Sequence, residues 1–125
     1  MVSGASRGLG YSIAETAAQE GARLSIGSRT KKDIETAAHS IHKKTGAAAS
    51  GFTLDMSSAD SIQGWVKDTL DLYGTIDAVL VNAGGPPAGF FMDFQDEEWE
   101  QAFQLTLMSA VRLIREVAPI MKEKG

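Results

Sequence analysis

The segment Ser3-Gly4-Ala5-Ser6-Arg7-Gly8-Leu9-Gly10 constrains this 125-residue chain more than any other. Its glycines are spaced G-x-x-x-G-x-G, and they stand where an apolar stub, Met1-Val2, gives way to a helical pattern. Leu9, Ile13, Ala14 and Ala17 recur at helical spacing, and Gly21 is placed to end that helix. A glycine turn at a strand-to-helix junction lets backbone N–H groups at a positive helix end approach a pyrophosphate, with no Cβ in the way. Ser6 adds a hydroxyl to that turn and Arg7 a cation. A helix entry with incidental glycines would read the same, so the meaning of the turn depends on the rest of the chain.

Beyond the turn, short apolar runs alternate with amphipathic stretches, the pattern of an α/β protein with a parallel sheet. Arg23–Gly27 reads as a second strand, and Lys32–Lys44 as a helix burying Ile34, Ala37, Ala38 and Ile41. Ala48–Leu54 reads as a third strand ending at Asp55. Ser57 or Ser58 can cap a third helix that turns Ile62, Trp65, Val66, Leu70 and Tyr73 inward and stops at Gly74. Asp77–Val81 is almost continuously apolar, as expected of a fourth strand covered on both faces. A Gly/Pro loop, Gly84–Gly89, leads to a long helix starting near Asp96, with Trp99, Phe103, Ala110, Leu113, Ile114 and Val117 at helical spacing. Pro119 should kink or end it. Phe90, Phe91 and Met92 read as packing residues, with the near wall of a pocket as the alternative.

The implied fold is a doubly wound, Rossmann-type parallel sheet with helices on both faces, strand order 3-2-1-4. Residues 1–125 read as one partial dinucleotide-binding domain. Its first strand is almost missing, it stops where a fifth strand should begin, and both ends are expected to be cuts.

Within that fold, the second strand ends Gly27-Ser28-Arg29. A carboxylate at this position would hold the ribose 2′-OH of NAD, whereas an Arg accommodates the 2′-phosphate of NADP. Here Ser28 and Arg29 stand there, and from them onward no acidic residue occurs until Asp33. With Arg7 on the neighbouring loop, two guanidinium groups can hold a doubly charged phosphate, which favours NADP(H) over NAD(H). Asp55 can accept a hydrogen bond from an adenine amino group with Met56 flanking the ring, or simply cap the next helix. At the end of the fourth strand, Asn82-Ala83-Gly84 admits a ribose close to the backbone, and the Asn82 amide can tie strand ends together. Asn and Gly are equally common in plain strand-to-loop turns.

Charge and composition exclude several other classes. The formal charge is 12 − 16 = −4, and the basic runs Lys31-Lys32 and His42-Lys43-Lys44 are too short for a nucleic-acid stripe. No segment reaches the apolar length of a membrane span, no signal-peptide pattern opens the chain, and there is no cysteine, so a cytoplasmic location is expected. A phosphate-transferring P-loop would need Gly-Lys-Ser/Thr, and a methyltransferase with a similar turn would want an acid where Ser28 and Arg29 stand. No His/Cys/Asp cluster suggests a metal; His39 and His42 are expected on the solvated side of their helix.

Gly4, Gly8 and Gly10 after Ser3, then Asp55, then Asn82-Ala83-Gly84, in that order, resemble the short-chain dehydrogenase/reductase family over the whole chain. Within that family the Gly85–Gly89 loop and the Trp99–Met121 helix resemble a bacterial branch grouped with 3-oxoacyl-carrier-protein reductases. The resemblance implies an oxidoreductase that passes a hydride between nicotinamide C4 and a carbonyl or alcohol carbon of a small-molecule substrate. A tyrosine and lysine handle the oxygen's proton while a serine orients the substrate. It also implies a homodimer or homotetramer for the full-length form, often paired through the long helix.

Three departures bear on that expectation. Tyr11 is followed four residues on by Glu15, and Tyr73 by Asp77, so no Tyr-x-x-x-Lys occurs and no catalytic residue is assigned in this chain. The family's N-N-A-G reads Val81-Asn82-Ala83-Gly84. Thr106 stands where the family carries an asparagine, and a hydroxyl cannot match an amide's separate donor and acceptor. The 125 residues alone are therefore expected to be inactive. The alternatives are a non-catalytic nucleotide-binding or interaction module, or a gene remnant.

Overall fold

The computed structural model describes all 125 residues. Three parallel strands, β1 (Val2–Ser3), β2 (Leu24–Ser28) and β3 (Ala49–Thr53), pair in the order β1-β2-β3. On the far side of β1, Leu80 forms a single parallel bridge with Val2, so the expected 3-2-1-4 order is present across the sheet. The expected fourth strand over Asp77–Val81 is not. β1 offers only two residues, and its outer edge is met by two backbone bonds, Leu80 N–H to Met1 O at 2.9 Å and Ser3 N–H to Leu80 O at 3.2 Å. A ladder needs a partner along its length, so only Leu80 forms a bridge, while the Met1 ammonium adds a bond to the Ala78 carbonyl at 2.7 Å. Nor is this segment covered on both faces: Asp77 and Ala78 are exposed, and Val79 and Val81 are half-buried.

Helices pack on both sides of the sheet. The strand pleat sends Leu24 and Ile26 toward α1 (Gly8–Gln19) and α2 (Lys31–Thr45), where they meet Ala14, Ala18, Ile34, Ala37, Ala38 and Ile41. Ser25 points the other way, to α3 (Ala59–Tyr73). On that side Leu54, Met56, Ile62, Trp65, Val66 and Ile76 form a second core with Leu113 and Val117 of α5 (Ser109–Lys124). In β3, a Cβ at Gly51 would stand 2.6 Å from the Ile34 carbonyl oxygen, so glycine is what lets α2 lie directly on the strand.

α1 buries only part of the set that recurs at helical spacing. Gly10, Ala14 and Ala18 are buried and Ala17 packs beside them, while Leu9 and Ile13 are exposed. Close approach to the sheet selects the small residues, and the bulky ones are left outside. The helix ends as expected: Gly21, at φ 90°, allows Ala22 N–H to reach Ala17 O and Gly21 N–H to reach Ala18 O, both at 3.0 Å. Ser58 caps α3 through its hydroxyl, which accepts from Ser61 N–H at 3.3 Å, and Gly74 closes it in the left-handed region at φ 73°.

After a short 3₁₀ turn at Phe91–Asp93, α4 (Asp96–Phe103) runs through a π segment, Gln104–Met108, into α5. Pro119 does not end this helix, which continues to Lys124. Its missing N–H deprives the Arg115 carbonyl of a partner, but Arg115 is exposed, where solvent can replace the bond. Phe90, Phe91 and Met92 are 83%, 74% and 83% exposed, so they do not pack into either core. Phe91 instead lies against Trp99 at the surface, ring centroids 5.4 Å apart. No helix is long and apolar enough to cross a membrane.

Candidate functional site

The glycine turn, the end of β2, the end of β3 and the segment after Leu80 converge at the carboxyl ends of the strands. They enclose one open cavity of about 1090 Å³. At such a switch point, where chain direction reverses across β1, doubly wound folds receive their ligands.

The turn is fixed from beneath by Asn82. Its amide donates to the carbonyl oxygens of Ser3 and Gly4, 3.2 Å in each case. Its backbone N–H donates to Ser3 Oγ at 2.8 Å, and Ser3 Oγ donates to the Asn82 carbonyl at 2.7 Å. Gly4, at φ +61°, has no room for a side chain: a Cβ there would lie 2.6 Å from Asn82 Nδ2. Gly8 is also at φ +61°, but open space faces it. Arg7 precedes α1 without capping it, and no acidic side chain occupies the first turn. The first N–H groups of α1 therefore stand uncapped beside Gly4, Ser6, Arg7 and Gly8, which line the cavity.

At the end of β2, Ser28 and Arg29 line the same cavity as Arg7. Both arginines are exposed, and neither takes part in the chain's four ion pairs. Ser28 Oγ is buried in the wall without a hydrogen-bond partner, a state that normally costs about 1–3 kcal/mol. One buried hydroxyl and two unpaired guanidinium groups around a single hollow are a donor set suited to an anionic acceptor.

At the end of β3, Asp55 is fixed by the residue two places on. Ser57 donates to Asp55 Oδ1 through its backbone N–H at 2.9 Å and its hydroxyl at 2.7 Å, and Asp55 N–H donates to Ser61 Oγ at 2.9 Å. The Ser57 hydroxyl, then its N–H, and then the charge of Arg29 hold the Asp55 carboxyl below its ordinary range, against an opposing effect of burial. The carboxylate is thus a committed acceptor. Met56 lines the cavity, yet its side chain is 6% exposed and belongs to the core around Trp65.

Of the residues the sequence singled out, Gly4, Ser6, Arg7, Gly8, Ser28, Arg29, Asp55, Met56, Asn82, Ala83 and Gly84 all line this cavity. Leu9 and Gly10 do not. Leu9 is 69% exposed, and Gly10 lies under the turn, where a Cβ would run into the Gly4 carbonyl oxygen. Sequence reasoning missed Ser57, Gln104 and Leu105, which complete the wall beside Asp55 and Met56. It also missed Glu97 and Glu100, the acidic contribution of α4. The Asp-x-Ser spacing was a readable sign of the Ser57 contacts, but the α4 residues carried no local signal. Thr106 lies in the π segment outside the cavity, and its hydroxyl is spent on the Ala102 carbonyl at 2.6 Å.

The chain is similar to known proteins along its whole length. Residues 1–125 match the short chain dehydrogenase family. A 3-oxoacyl-acyl-carrier-protein reductase of Chlamydia muridarum is 33% identical over all of this chain and 51% of its own length. The crystal structure of L-sorbose reductase from Gluconobacter frateurii, complexed with NADPH and L-sorbose, superposes with a TM-score of 0.94 at 31% identity, over 99% of this chain and 47% of the reductase. An alcohol dehydrogenase from the archaeon Thermococcus sibiricus, complexed with 5-hydroxy-NADP, gives 0.92 at 29% identity, over 99% of this chain and 53% of the enzyme. The chain spans about half the length of the curated relatives it matches. With the family pattern met along its whole length, this chain belongs to the short chain dehydrogenase family.

Proposed function

We propose that these residues form the NADP(H) cradle of an oxidoreductase that interconverts a small-molecule carbonyl and its alcohol. The observation that carries this reading is the convergence of Arg7, Ser28 and Arg29 on the cavity, with both guanidinium groups unpaired and Ser28 Oγ lacking a partner. These groups suit a 2′-phosphate, whose charge and three acceptor oxygens would satisfy all three at once. The uncapped start of α1 and the Gly4–Gly8 turn would hold the pyrophosphate, Asp55 the adenine amino group, and Asn82-Ala83-Gly84 the ribose toward the nicotinamide. The sorbose reductase and archaeal alcohol dehydrogenase structures support the assignment, since both hold NADP-type dinucleotides in the fold this chain shares.

When bound, the nicotinamide supplies or takes up a hydride at C4. The chain's own residues bind, orient and exclude. Asn82 locks the turn so that its N–H groups keep one direction, and Asp55, held ionised by Ser57, offers a fixed acceptor. No residue of this chain is assigned to proton transfer at the substrate oxygen: no Tyr-x-x-x-Lys occurs in residues 1–125, and the Thr106 hydroxyl already donates to Ala102. That same observation favours a second reading, a nucleotide-binding module without catalysis. Incubation of the intact gene product that carries these residues with NADPH and a ketone or 3-oxoacyl thioester, following the reduced nicotinamide absorbance, separates the two. Turnover supports the oxidoreductase, while tight NADPH binding without turnover supports the module.

A further inference from the structure

Arg112 lies on α5, outside the cavity, yet both groups it holds belong to the cavity wall. Its Nη1 donates to the Ser57 carbonyl at 3.1 Å, and its Nη2 donates to Gln104 Oε1 at 2.6 Å. Ser57 stands in the loop between β3 and α3, and Gln104 opens the π segment between α4 and α5. The guanidinium therefore spans two elements far apart in sequence. Ser57 in turn grips Asp55 Oδ1 with its N–H and its hydroxyl. The links run from Arg112 to Ser57 to Asp55 on one side, and from Arg112 to Gln104 beside Leu105 on the other.

We propose that Arg112 is a positioning residue that sets the purine-reading end of the cavity by clamping the Asp55–Ser57 turn to Gln104. The proposal rests on the dinucleotide reading of the cavity and deepens it. Three features support it. The guanidinium is planar and donor-only, so two acceptors bound to its fork are fixed relative to each other, which one flexible ammonium cannot do. Arg112 is half-buried and has no carboxylate partner, so its charge is directed at these two oxygens. Because Arg112 can only donate, Gln104 must turn its Oε1 toward it, which leaves the amide Nε2 as the group Gln104 can offer elsewhere.

A merely structural arginine would weaken all ligands alike, whereas a clamp on the purine end affects the purine alone. The test is calorimetric titration of the chain with NADPH and with its hypoxanthine counterpart, which carries a 6-oxo group in place of the 6-amino group. The unaltered chain should prefer the amino form by about tenfold or more, as one hydrogen bond to a charged group warrants. In Arg112→Met the preference should fall to within about twofold while affinity for the hypoxanthine form changes little, and Arg112→Lys should restore it only in part. Gln104→Leu, which frees one arm of the fork, should give an intermediate preference and carries the test should Arg112→Met fail to fold. An undiminished preference in Arg112→Met or Gln104→Leu overturns the proposal and leaves the dinucleotide reading intact. Failure of the unaltered chain to bind either compound overturns both.

Discussion

Ser3 and Asn82, 79 residues apart in sequence, hold each other by hydrogen bonds in both directions, Asn82 N–H to Ser3 Oγ at 2.8 Å and Ser3 Oγ to Asn82 O at 2.7 Å. The Asn82 amide adds two more, to the carbonyls of Ser3 and Gly4. Asn82 thereby ties the segment after Leu80 to the end of β1 and the turn that follows it. Asn82→Ala would leave those two carbonyls short of a donor, Ser3 being fully buried. It should lower stability by about 1–3 kcal/mol, read from urea denaturation, and weaken dinucleotide binding at the same time.

Gly10 and Gly64 are both helical glycines, and they should respond to alanine with opposite signs. A Cβ at Gly10 meets the Gly4 carbonyl oxygen, a backbone atom that cannot swing away, and comes within 2.9 Å of Asn82 Nδ2. The overpacking cost of roughly 1–3 kcal/mol outweighs a helix-propensity gain of about 1 kcal/mol. A Cβ at Gly64, in α3, meets nothing within 4 Å, so Gly64→Ala should gain roughly the full propensity difference. Thermal denaturation of the two variants checks the sign of each.

Beneath β2, three side chains close a buried circuit. Trp65 Nε1–H donates to Ser25 Oγ at 2.9 Å, Ser25 and Thr69 share a bond at 2.7 Å, and Thr69 Oγ1 donates to the Trp65 carbonyl at 2.8 Å. Because the Thr69 proton is already used, the Ser25 hydroxyl must donate to Thr69. Ser25→Ala should strand the indole N–H and cost about 1–3 kcal/mol in urea denaturation. In Trp65→Phe, which removes the stranded donor along with its own bond, the further loss on Ser25→Ala should be smaller.

Asp55 predicts the direction of a pH effect. Its folded pKa is held below that of an unfolded aspartate, about 3.9, by the two Ser57 bonds and then by Arg29. A depressed folded value contributes stability that is present above the unfolded pKa and lost as pH falls through the folded one. The contribution is small because Asp55 is exposed. Ser57→Ala removes the hydroxyl bond, so the Asp55 pKa should rise toward its ordinary value in a carboxyl-carbon NMR titration.

Much of the fold was legible because its signals are local. Gly21 and Gly74 sit where only a left-handed residue closes the helix, and the burial of Ile34, Ala37, Ala38 and Ile41 follows from their spacing alone. The fourth strand was misread because an apolar run states that a segment is to be covered, not that a neighbour is long enough to pair with it. Helical spacing groups Leu9 and Ile13 with Ala14 and Ala17, whereas close helix-to-sheet approach buries Gly10, Ala14 and Ala18. In the candidate site, most of the glycines and strand ends singled out by local pattern do line one cavity, while Leu9 and Gly10 do not. Arg112 and Gln104 were not legible, because a clamp is defined by what two distant elements do together, and nothing in the spacing of either announces it.

The central claim is that Arg7, Ser28 and Arg29 receive a 2′-phosphate, and the most direct measurement is the affinity of this chain for NADPH and NADH side by side in one calorimeter. NADPH should bind at least about tenfold more tightly, as loss of even one charge-assisted hydrogen bond implies, and Arg29→Ala should erase most of the difference by weakening NADPH alone. Equal affinities for the two dinucleotides, or a preference for NADPH that survives Arg29→Ala and Arg7→Ala together, would contradict the account.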